Sequence, residues 1–330
     1  MCTIQRLFIY PVKSLPPVQV SSVELTNEGL RFDRCFVLVT PPKDNSKEAK
    51  FLTIKKHFKL MLFKPTIDDS WTKLTITHIH ADPPSSITVP LTPSPLSLLQ
   101  NKTFEVSIFG TTAIGIDLGE ESASFFSNHL GQDVRLLSIG GTGRREIPGA
   151  AYLPSQHNAL SLALREGLQP QRIRFADAAP LLITSTASEE DARSRLPKDW
   201  QHEDIIVRFR PNIHIDVKGH LPAYDEDNWS SLLVRSQSDE AQEVTIKCIF
   251  RTVRCLSLNA DPDTGEMIHR DRQLYGLLAS DRRVNDKFPH KPVFGQYGFA
   301  GPSGAILRTG DQVFVTERKQ RTQEPDAAKQ

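Results

Sequence analysis

Cysteine is scarce in this sequence: 330 residues contain only four cysteines, and no two of them form a CxxC pair. Four thiols are too few to staple a fold of this size with disulfides. Cys248 and Cys255 are an odd number of residues apart, so in one regular strand their side chains would point to opposite faces. The pattern predicts reduced thiols in a reducing compartment and does not favour a two-cysteine metal site.

The sequence also lacks an excess of charge and any long apolar run. Its 40 basic residues nearly balance its 39 acidic ones, so neither nucleic acid nor an acidic membrane surface is expected as a general partner. No run is apolar over the length that a bilayer requires. The first strand pattern begins almost at once, which leaves no room for a signal or transit peptide. We expect a soluble, cytoplasmic protein whose length allows two domains.

Strand-like segments dominate the chain. They are short and are separated by proline-rich or turn-forming connections, which favours barrels or sandwiches over a parallel α/β sheet. The clearest helix is predicted from Glu120 to Leu130, ending at Gly131. We therefore expect a mainly β fold with some α structure. Residues 1–118 would form an N-terminal β-barrel-like domain, residues 119–316 a second domain with its core at about 145–316, and residues 317–330 a disordered tail.

The stretch 251–265 concentrates reactive side chains. It places Cys255 beside Arg254 and ahead of the turn Asp261–Gly265, in which proline and glycine fix the backbone and aspartates can bond nearby amides. A cationic neighbour favours the thiolate, which is the form that attacks electrophiles and binds metals. Because residues 244–250 have a strand pattern, Cys255 should lie near a strand end. A half-buried cysteine beside a hairpin is the alternative.

Several polar and basic residues follow predicted strands and could hold an anion. Lys13 and Ser14 leave the first strand, and an ammonium with a neighbouring hydroxyl can bind phosphate. Arg34 lies within a later predicted strand, and the segment 208–213 sets two arginines and an amide around a proline. For each of them, a solvated loop or strand edge is the alternative. The segment 140–145 lacks the Lys-Ser/Thr ending of a phosphate loop, so we interpret it as a flexible linker.

Taken together, these motifs resemble those of MOSC proteins, which are named after the C-terminal domain of molybdenum cofactor sulfurase. The likeness is strongest to the amidoxime-reducing components, in which an N-terminal β-barrel domain precedes a MOSC β-barrel domain with peripheral helices. It runs from Ile4 to about Thr316. Six motifs occur in the family's order: Tyr10–Ser14, Asp33-Arg34, Phe209–Ile213, Arg254-Cys255, Asp261–Gly265 and Phe294–Tyr297.

The resemblance implies a bound molybdenum–molybdopterin cofactor. In the family, a single protein cysteine ligates the molybdenum beside the pterin dithiolene and oxo groups, and soft thiolate ligation suits such a centre. That cysteine corresponds to Cys255. The pterin phosphate would be held by Lys13, Ser14 and Arg34. Further positions that would line the cofactor are Asp177, Arg210, Asn212, Arg254 and Tyr297.

The chain departs from the family pattern at a few positions. Val253 and the pair Ala178-Ala179 stand where the amidoxime reducers carry hydroxyl residues, so those side-chain donors to the cofactor are missing, although backbone amides could still serve. The membrane anchor of the animal proteins and the pyridoxal-phosphate desulfurase domain of the sulfurases have no counterpart in the sequence. No pyridoxal-phosphate site is expected, and association with mitochondria would need another means.

The resemblance implies an oxidoreductase that reduces N-hydroxylated compounds such as amidoximes and hydroxylamines. The metal would perform the redox step, while the protein supplies ligation, orientation and protons. Asp261 is a candidate catalytic proton relay, although it could simply hold its turn. Since no flavin, haem or nicotinamide motif is visible, electrons would come from a partner, and the family suggests cytochrome b5 with its reductase.

Two other functions stay open from the sequence. The first is a non-enzymatic carrier that binds molybdenum cofactor or sulfur and passes it on, in which case Cys255 could hold a persulfide. The second is a β-rich interaction module without a cofactor, which requires all six motifs to be coincidental. Copurified molybdenum with reductase turnover would select the enzyme, and sulfur loading without turnover would select the carrier.

Overall fold

The computed structural model describes residues 1–44, 46–94, 98–140, 143–147, 171–238 and 241–319. Over these residues strands predominate and helices are few, which confirms the predicted mainly β fold. No helix in these ranges is long and apolar enough to cross a membrane.

The secondary-structure elements have the following bounds. The strands, in chain order, are β1 (Cys2–Ile9), β2 (Val18–Val20), β3 (Ser22–Thr26), β4 (Gly29–Leu30), β5 (Phe36–Thr40), β6 (Glu48–Phe51), β7 (Phe63–Ile67), β8 (Lys73–His78), β9 (Ser85–Pro90), β10 (Thr103–Ile108), β11 (Thr111–Asp117), β12 (Arg135–Ile139), β13 (Arg145–Ile147), β14 (Gln171–Ile173), β15 (Leu181–Ser185), β16 (Ile213–Asp216), β17 (Trp229–Arg235), β18 (Glu243–Val253), β19 (Val293–Gly301), β20 (Ile306–Arg308) and β21 (Gln312–Arg318). The α-helices are α1 (Glu120–Leu130), α2 (Thr186–Ser194), α3 (Ile206–Phe209) and α4 (Leu274–Leu278), and single 3-10 turns span Phe58–Leu62, Lys198–Trp200, Asp225–Asn228, Leu256–Asn259 and Arg270–Arg272.

Two closed barrels contain most of the strands. The larger one follows the order β16-β15-β19-β18-β17-β21-β1, and it closes because β16 also pairs with β1. Its neighbouring strands are antiparallel except for β15 and β16, and β2 pairs with the second half of β1. The smaller barrel follows the order β10-β11-β12-β5-β6.

The two barrels do not follow the proposed boundary at residue 118 strictly. β1 lies in the larger barrel between β16 and β21, where Ile4, Leu7 and Ile9 are buried in the core. β12 comes after residue 118 in the sequence, yet it pairs with β11 and β5 in the smaller barrel. The chain therefore passes between the barrels more than once.

Helix α1 has the predicted bounds. Glu120 and Glu121 lie in its first turn, where carboxylates suit the positive end of the helix dipole. It ends at Gly131, whose φ of 67° is in the left-handed region that glycine adopts at little cost. Phe126 is fully buried, so this helix covers one side of the apolar cluster that lies against β5, β7 and β12.

Three local predictions are wrong. Arg34 lies in a turn with a φ of 52°, and the next strand begins only at Phe36. Arg145 belongs to β13, which pairs with β14, and not to a flexible linker; residues 141–142 lie outside the described ranges. The last strand extends to Arg318, into the predicted disordered tail, because it pairs with β17 along its length. Residues 320–330 of that tail also lie outside the described ranges.

Candidate functional site

Two backbone turns place the first basic residues side by side. After β1, the backbone amide of Lys13 donates to the carbonyl of Phe36 at 2.8 Å, while the amide of Arg34 donates to the carbonyl of Tyr10 at 2.8 Å. Ser14 adopts a φ of 72°, and its hydroxyl donates to the carbonyl of Leu52 at 2.9 Å. The loop after β1 and the turn before β5 are therefore joined by backbone hydrogen bonds.

Lys13 is a buried ammonium with a partly exposed counter-ion. Its Nζ donates to the carbonyl of Phe175 at 3.0 Å and forms an ion pair with the carboxylate of Asp177. Burial lowers the pKa of Lys13, and Asp177 offsets only part of that effect. Burial alone would raise the pKa of Asp177, but the neighbouring cation at Lys13 outweighs it and holds that pKa below its usual range.

Arg34 is held by a buried carboxylate and a buried amide. Asp33 is 3% exposed, forms an ion pair with Arg34, and accepts from the backbone amide of Tyr10 at 2.8 Å and from Nδ2 of Asn212 at 3.1 Å. The carbonyl oxygen of the Asn212 side chain accepts from Arg34 at 3.3 Å and from the amide of Leu182 at 3.1 Å. Both ends of the Asn212 amide are thus engaged within the protein, so this residue positions Arg34.

Tyr10 gathers two guanidinium groups around its ring. The Cζ atoms of Arg34 and Arg210 lie 4.8 Å and 4.3 Å from the ring centroid, a distance at which the ring quadrupole attracts cations. Arg210 also donates to the carbonyl of Leu15 at 2.8 Å, and its φ is 60° at the end of α3. Burial lowers the pKa of Arg210 to about 10 and raises that of Tyr10, so Tyr10 stays neutral while Arg210 stays cationic at neutral pH.

Cys255 is the one exposed thiol among the four cysteines, and all four are free. It lies two residues after the end of β18, and its Sγ lies 3.1 Å from Oγ of Ser257. Its neighbour Arg254 is 7% exposed and donates from one terminal nitrogen to the carbonyl of Phe209 at 2.6 Å. The Nε of Arg254 is buried and has no hydrogen-bond partner in the described part of the chain. A buried donor of this kind is costly unless an acceptor reaches it, so this guanidinium fits a polar ligand.

Tyr297 lies within reach of the same charges. Burial raises its pKa first, the carboxylate of Asp177 raises it further, and the cations at Arg254 and Arg34 oppose this rise. Its ring packs beside that of Phe250 on the neighbouring strand, with 5.3 Å between the centroids. Tyr297 thus feels the charges of Asp177, Arg254 and Arg34 as well as that of Cys255.

The hydrogen bonds of Asp261 lie within its own turn. Its Oδ1 accepts from the backbone amides of Asp263 and Thr264 at 2.9 Å and 3.1 Å, and its carbonyl accepts from Gly265. Glycine is also required at the end of this turn. Gly265 has a φ of 65°, and a Cβ at that position would lie only 2.8 Å from the side chain of Leu62. This geometry supports the interpretation of Asp261 as a turn residue.

Three contributors to the site escaped the sequence analysis. Tyr10 and Asp33 are part of the motifs Tyr10–Ser14 and Asp33-Arg34. Their positions next to the predicted ligands could have identified them. Arg145 gave no signal. It is 1% exposed and donates to the carbonyls of Ile108 at 2.8 Å, Arg174 at 3.2 Å and Asp177 at 3.2 Å. It therefore ties the segment that carries Asp177 to the smaller barrel.

No bare-metal site accompanies the exposed thiol. Within the described residues, no three His, Cys, Asp or Glu side chains are grouped so that they could hold a metal ion. A metal at Cys255 would need most of its ligands from a bound cofactor. The fold and the site therefore define a two-barrel protein with a cluster of cations near one exposed thiol. We call this cluster the cation-rich basin and define it by Lys13, Arg34, Arg210 and Arg254.

Comparisons with known proteins agree with this definition. The family model of the MOSC N-terminal beta barrel domain matches residues 1–133, and that of the MOSC domain matches residues 170–314. The chain is 31% identical over 319 residues to mitochondrial amidoxime reducing component 2 of Macaca fascicularis, across 94% of this chain and 83% of that protein. It is 28% identical over 320 residues to mitochondrial amidoxime-reducing component 1 of Mus musculus, across 95% and 82%. The chain belongs to the MOSC family, in the group that carries the N-terminal MOSC barrel.

Proposed function

We propose that the protein is a molybdenum cofactor-dependent oxidoreductase that reduces N-hydroxylated compounds such as amidoximes and hydroxylamines. The observation that carries the proposal is the charge of the basin. Its four cations face the buried carboxylate of Asp33 and the partly exposed carboxylate of Asp177, so the excess is at least two positive charges. A phosphate monoester carries roughly −1.5 to −2 at neutral pH, so the basin matches the phosphate of a pterin cofactor.

The residues around the basin fit such a cofactor. Lys13 and Arg34 would hold the phosphate with Ser14 beside them, and the unpartnered Nε of Arg254 would donate to the pterin or its substituents. The exposed thiol of Cys255 would supply the protein ligand. When bound, the cofactor supplies two-electron reduction of the N–O bond. An amidoxime would take up two electrons and two protons and yield an amidine and water.

The roles of the chain's own groups follow from their environment. Tyr297 stays protonated at neutral pH, because its pKa is raised, so its hydroxyl can donate a hydrogen bond near the thiol. Asn212 and Asp33 keep Arg34 in place. We propose an external electron donor such as cytochrome b5 with its reductase, and the cytoplasmic location remains a prediction, since the similar proteins above are named as mitochondrial.

A carrier function is favoured by one observation, the exposure of Cys255. A thiol at the surface could hold a persulfide and pass the sulfur to a partner. The same basin would then serve to bind cofactor during transfer.

Metal analysis and turnover test the proposal together. The chain is purified from a host that makes molybdenum cofactor, its molybdenum content is measured by mass spectrometry, and reduction of benzamidoxime is followed with a chemical or cytochrome b5 electron donor. Near-stoichiometric molybdenum with turnover supports the enzyme. Sulfur loading without turnover supports the carrier, and protein free of molybdenum contradicts both cofactor-based proposals.

Removal of Lys13 is expected to lower the pterin content several-fold while the chain stays folded. Lys13→Ala leaves Asp177 without its counter-ion, but that side chain is 47% exposed and can be solvated. Pterin is measured by fluorescence after release from purified protein. Lys247→Ala, which removes an exposed lysine paired with Glu317 on the surface, is the matched control. Unchanged pterin content in Lys13→Ala would contradict the phosphate role.

Two substitutions of Asp261 distinguish a role as proton relay from a role in holding the turn. Asparagine can still accept from the amides of residues 263 and 264 but cannot carry the proton, so Asp261→Asn is expected to retain turnover. Asp261→Ala loses both hydrogen bonds and should reduce the free energy of unfolding by about 1 kcal/mol. Urea unfolding and benzamidoxime turnover are measured on both variants. Lost turnover in a stable Asp261→Asn protein would favour the relay.

A further inference from the structure

Asp177 and Asp33 are the two carboxylates of the basin, and they differ in how firmly they are held. Asp33 is 3% exposed and is fixed by a backbone amide, an asparagine and an arginine. The Asp177 side chain is 47% exposed, and its hydrogen-bond partner in the described part of the chain is Lys13. Asp33 is therefore a fixed part of the basin, whereas the Asp177 carboxylate is free to leave it.

Lys13 depends on the segment 175–177 for its partners. Its side chain is 7% exposed, and its Nζ reaches the carbonyl of Phe175 at 3.0 Å in addition to Asp177. A buried ammonium without an anion is unfavourable, so the ion pair with Asp177 stabilises the empty basin. The same contact places a carboxylate on the cation that would otherwise meet an incoming anion.

We propose that Asp177 is the resident counter-anion of Lys13, and that a phosphate-bearing ligand binds by displacing its carboxylate. The inference deepens the proposed function, because the ligand would be the pterin phosphate. No covalent bond changes in this exchange. The carboxylate is already half in water, so it can turn outward while the phosphate takes its place against Lys13.

The other cations decide which anions can complete the exchange. Asp177 is also influenced by the charges of Arg34 and Arg210, and a phosphate with several acceptor oxygens can contact more than one of these groups at once. A monovalent anion carries the same charge as the carboxylate that it would displace, so the exchange would gain little binding free energy. The resident carboxylate would therefore select a phosphate monoester over small ions such as chloride.

Phosphate binding to the empty protein tests the exchange. The full chain is produced in a host that cannot make the cofactor, and binding of inorganic phosphate is measured by calorimetry. Asp177→Asn is expected to bind phosphate roughly fivefold more tightly, as expected when a competitor worth about 1 kcal/mol is removed. Asp177→Glu retains the charge and should bind like the wild type. Asp204→Asn, which removes the carboxylate of a surface pair with Arg6, should also leave phosphate affinity unchanged.

The effect must also depend on Lys13. In the background of Lys13→Ala, the added change Asp177→Asn should give no further gain in phosphate affinity. A folded Asp177→Asn protein with unchanged or weaker phosphate affinity would overturn the proposal, and so would a gain that persists without Lys13. Thermal melts establish the fold, and Asp177→Ser serves as a second variant without the charge. Because these measurements need neither molybdenum nor turnover, their failure is distinct from failure of the proposed function.

Discussion

Cys255→Ser is expected to lower benzamidoxime reduction to near background without unfolding the chain. The thiol is exposed and follows the end of β18, so a serine fits the same space. The hydroxyl is a harder and far less acidic ligand than the thiol, and it would not provide the soft ligation that the proposed metal centre requires. The cation-rich basin is unchanged, so pterin content should remain close to that of the wild type.

Cys248→Ser provides the matched control for this variant. Cys248 is 4% exposed, and burial raises its pKa to about 12, so it stays a neutral thiol within the barrel core. Serine there should cost some stability while turnover per folded molecule is preserved. Turnover, pterin and molybdenum are measured on both variants. Wild-type turnover in Cys255→Ser would show that this thiol is not the ligand.

The free energy of unfolding is expected to fall by roughly 3 kcal/mol between about pH 4.5 and 7 because of Glu226. This carboxyl group is fully buried, accepts from the hydroxyls of Ser185 and Ser188 at 2.9 Å and 2.8 Å, and has an Oε1 without a partner in the described residues. Burial raises its pKa from 4.5 to about 7. Within that window the folded chain holds a proton that the unfolded chain has lost, so stability is greatest at the acidic end and decreases as the pH rises, by about 1.4 kcal/mol per pH unit.

Glu226→Gln isolates this contribution. Glutamine cannot ionise, so the difference in unfolding free energy between variant and wild type should shift in favour of the variant from about pH 5 to pH 7 and then level off. Urea unfolding at several pH values gives the difference and cancels the other titrating groups. Glu243→Gln changes an exposed carboxylate at the start of β18 and should show no such trend. A constant difference for Glu226→Gln would mean that Glu226 is ionised throughout.

The sequence correctly predicted those parts of the fold that depend on residues close together in the chain. Helix α1 was found because glutamates start it and Gly131 ends it. Asp261 was given as a candidate proton relay or as a turn residue, and the turn interpretation rested on Asp-Pro-Asp-Thr-Gly, which contains its own hydrogen-bond partners. The resemblance to the family supplied the candidate ligands by position, and the structure places most of them around one basin.

The rest depended on partners far away in the chain. Asn212 stays a predicted cofactor ligand, and its hydrogen bonds to Asp33 and Arg34 join segments almost 180 residues apart, which no local pattern encodes. Arg145 was assigned to a linker because its segment lacks the ending of a phosphate loop, and its acceptors, the hydroxyl of Thr111 and several backbone carbonyls, lie far away in the sequence. Arg34 was placed in a strand because apolar residues surround it, although the backbone turns there to bring its side chain to Asp33.

The position of β1 has a consequence for the order in which the chain can fold during synthesis. β1 pairs with β16 and with β21, whose residues 312–318 are synthesised long after residues 2–9 of β1. The larger barrel therefore cannot close until β21 has been made, and the apolar residues of β1 lack their final partners until then. Ribosome-stalled chains ending before β21 should accordingly be cleaved by protease within β1, while the released chain, in which β21 is free to pair with β1, should resist cleavage there.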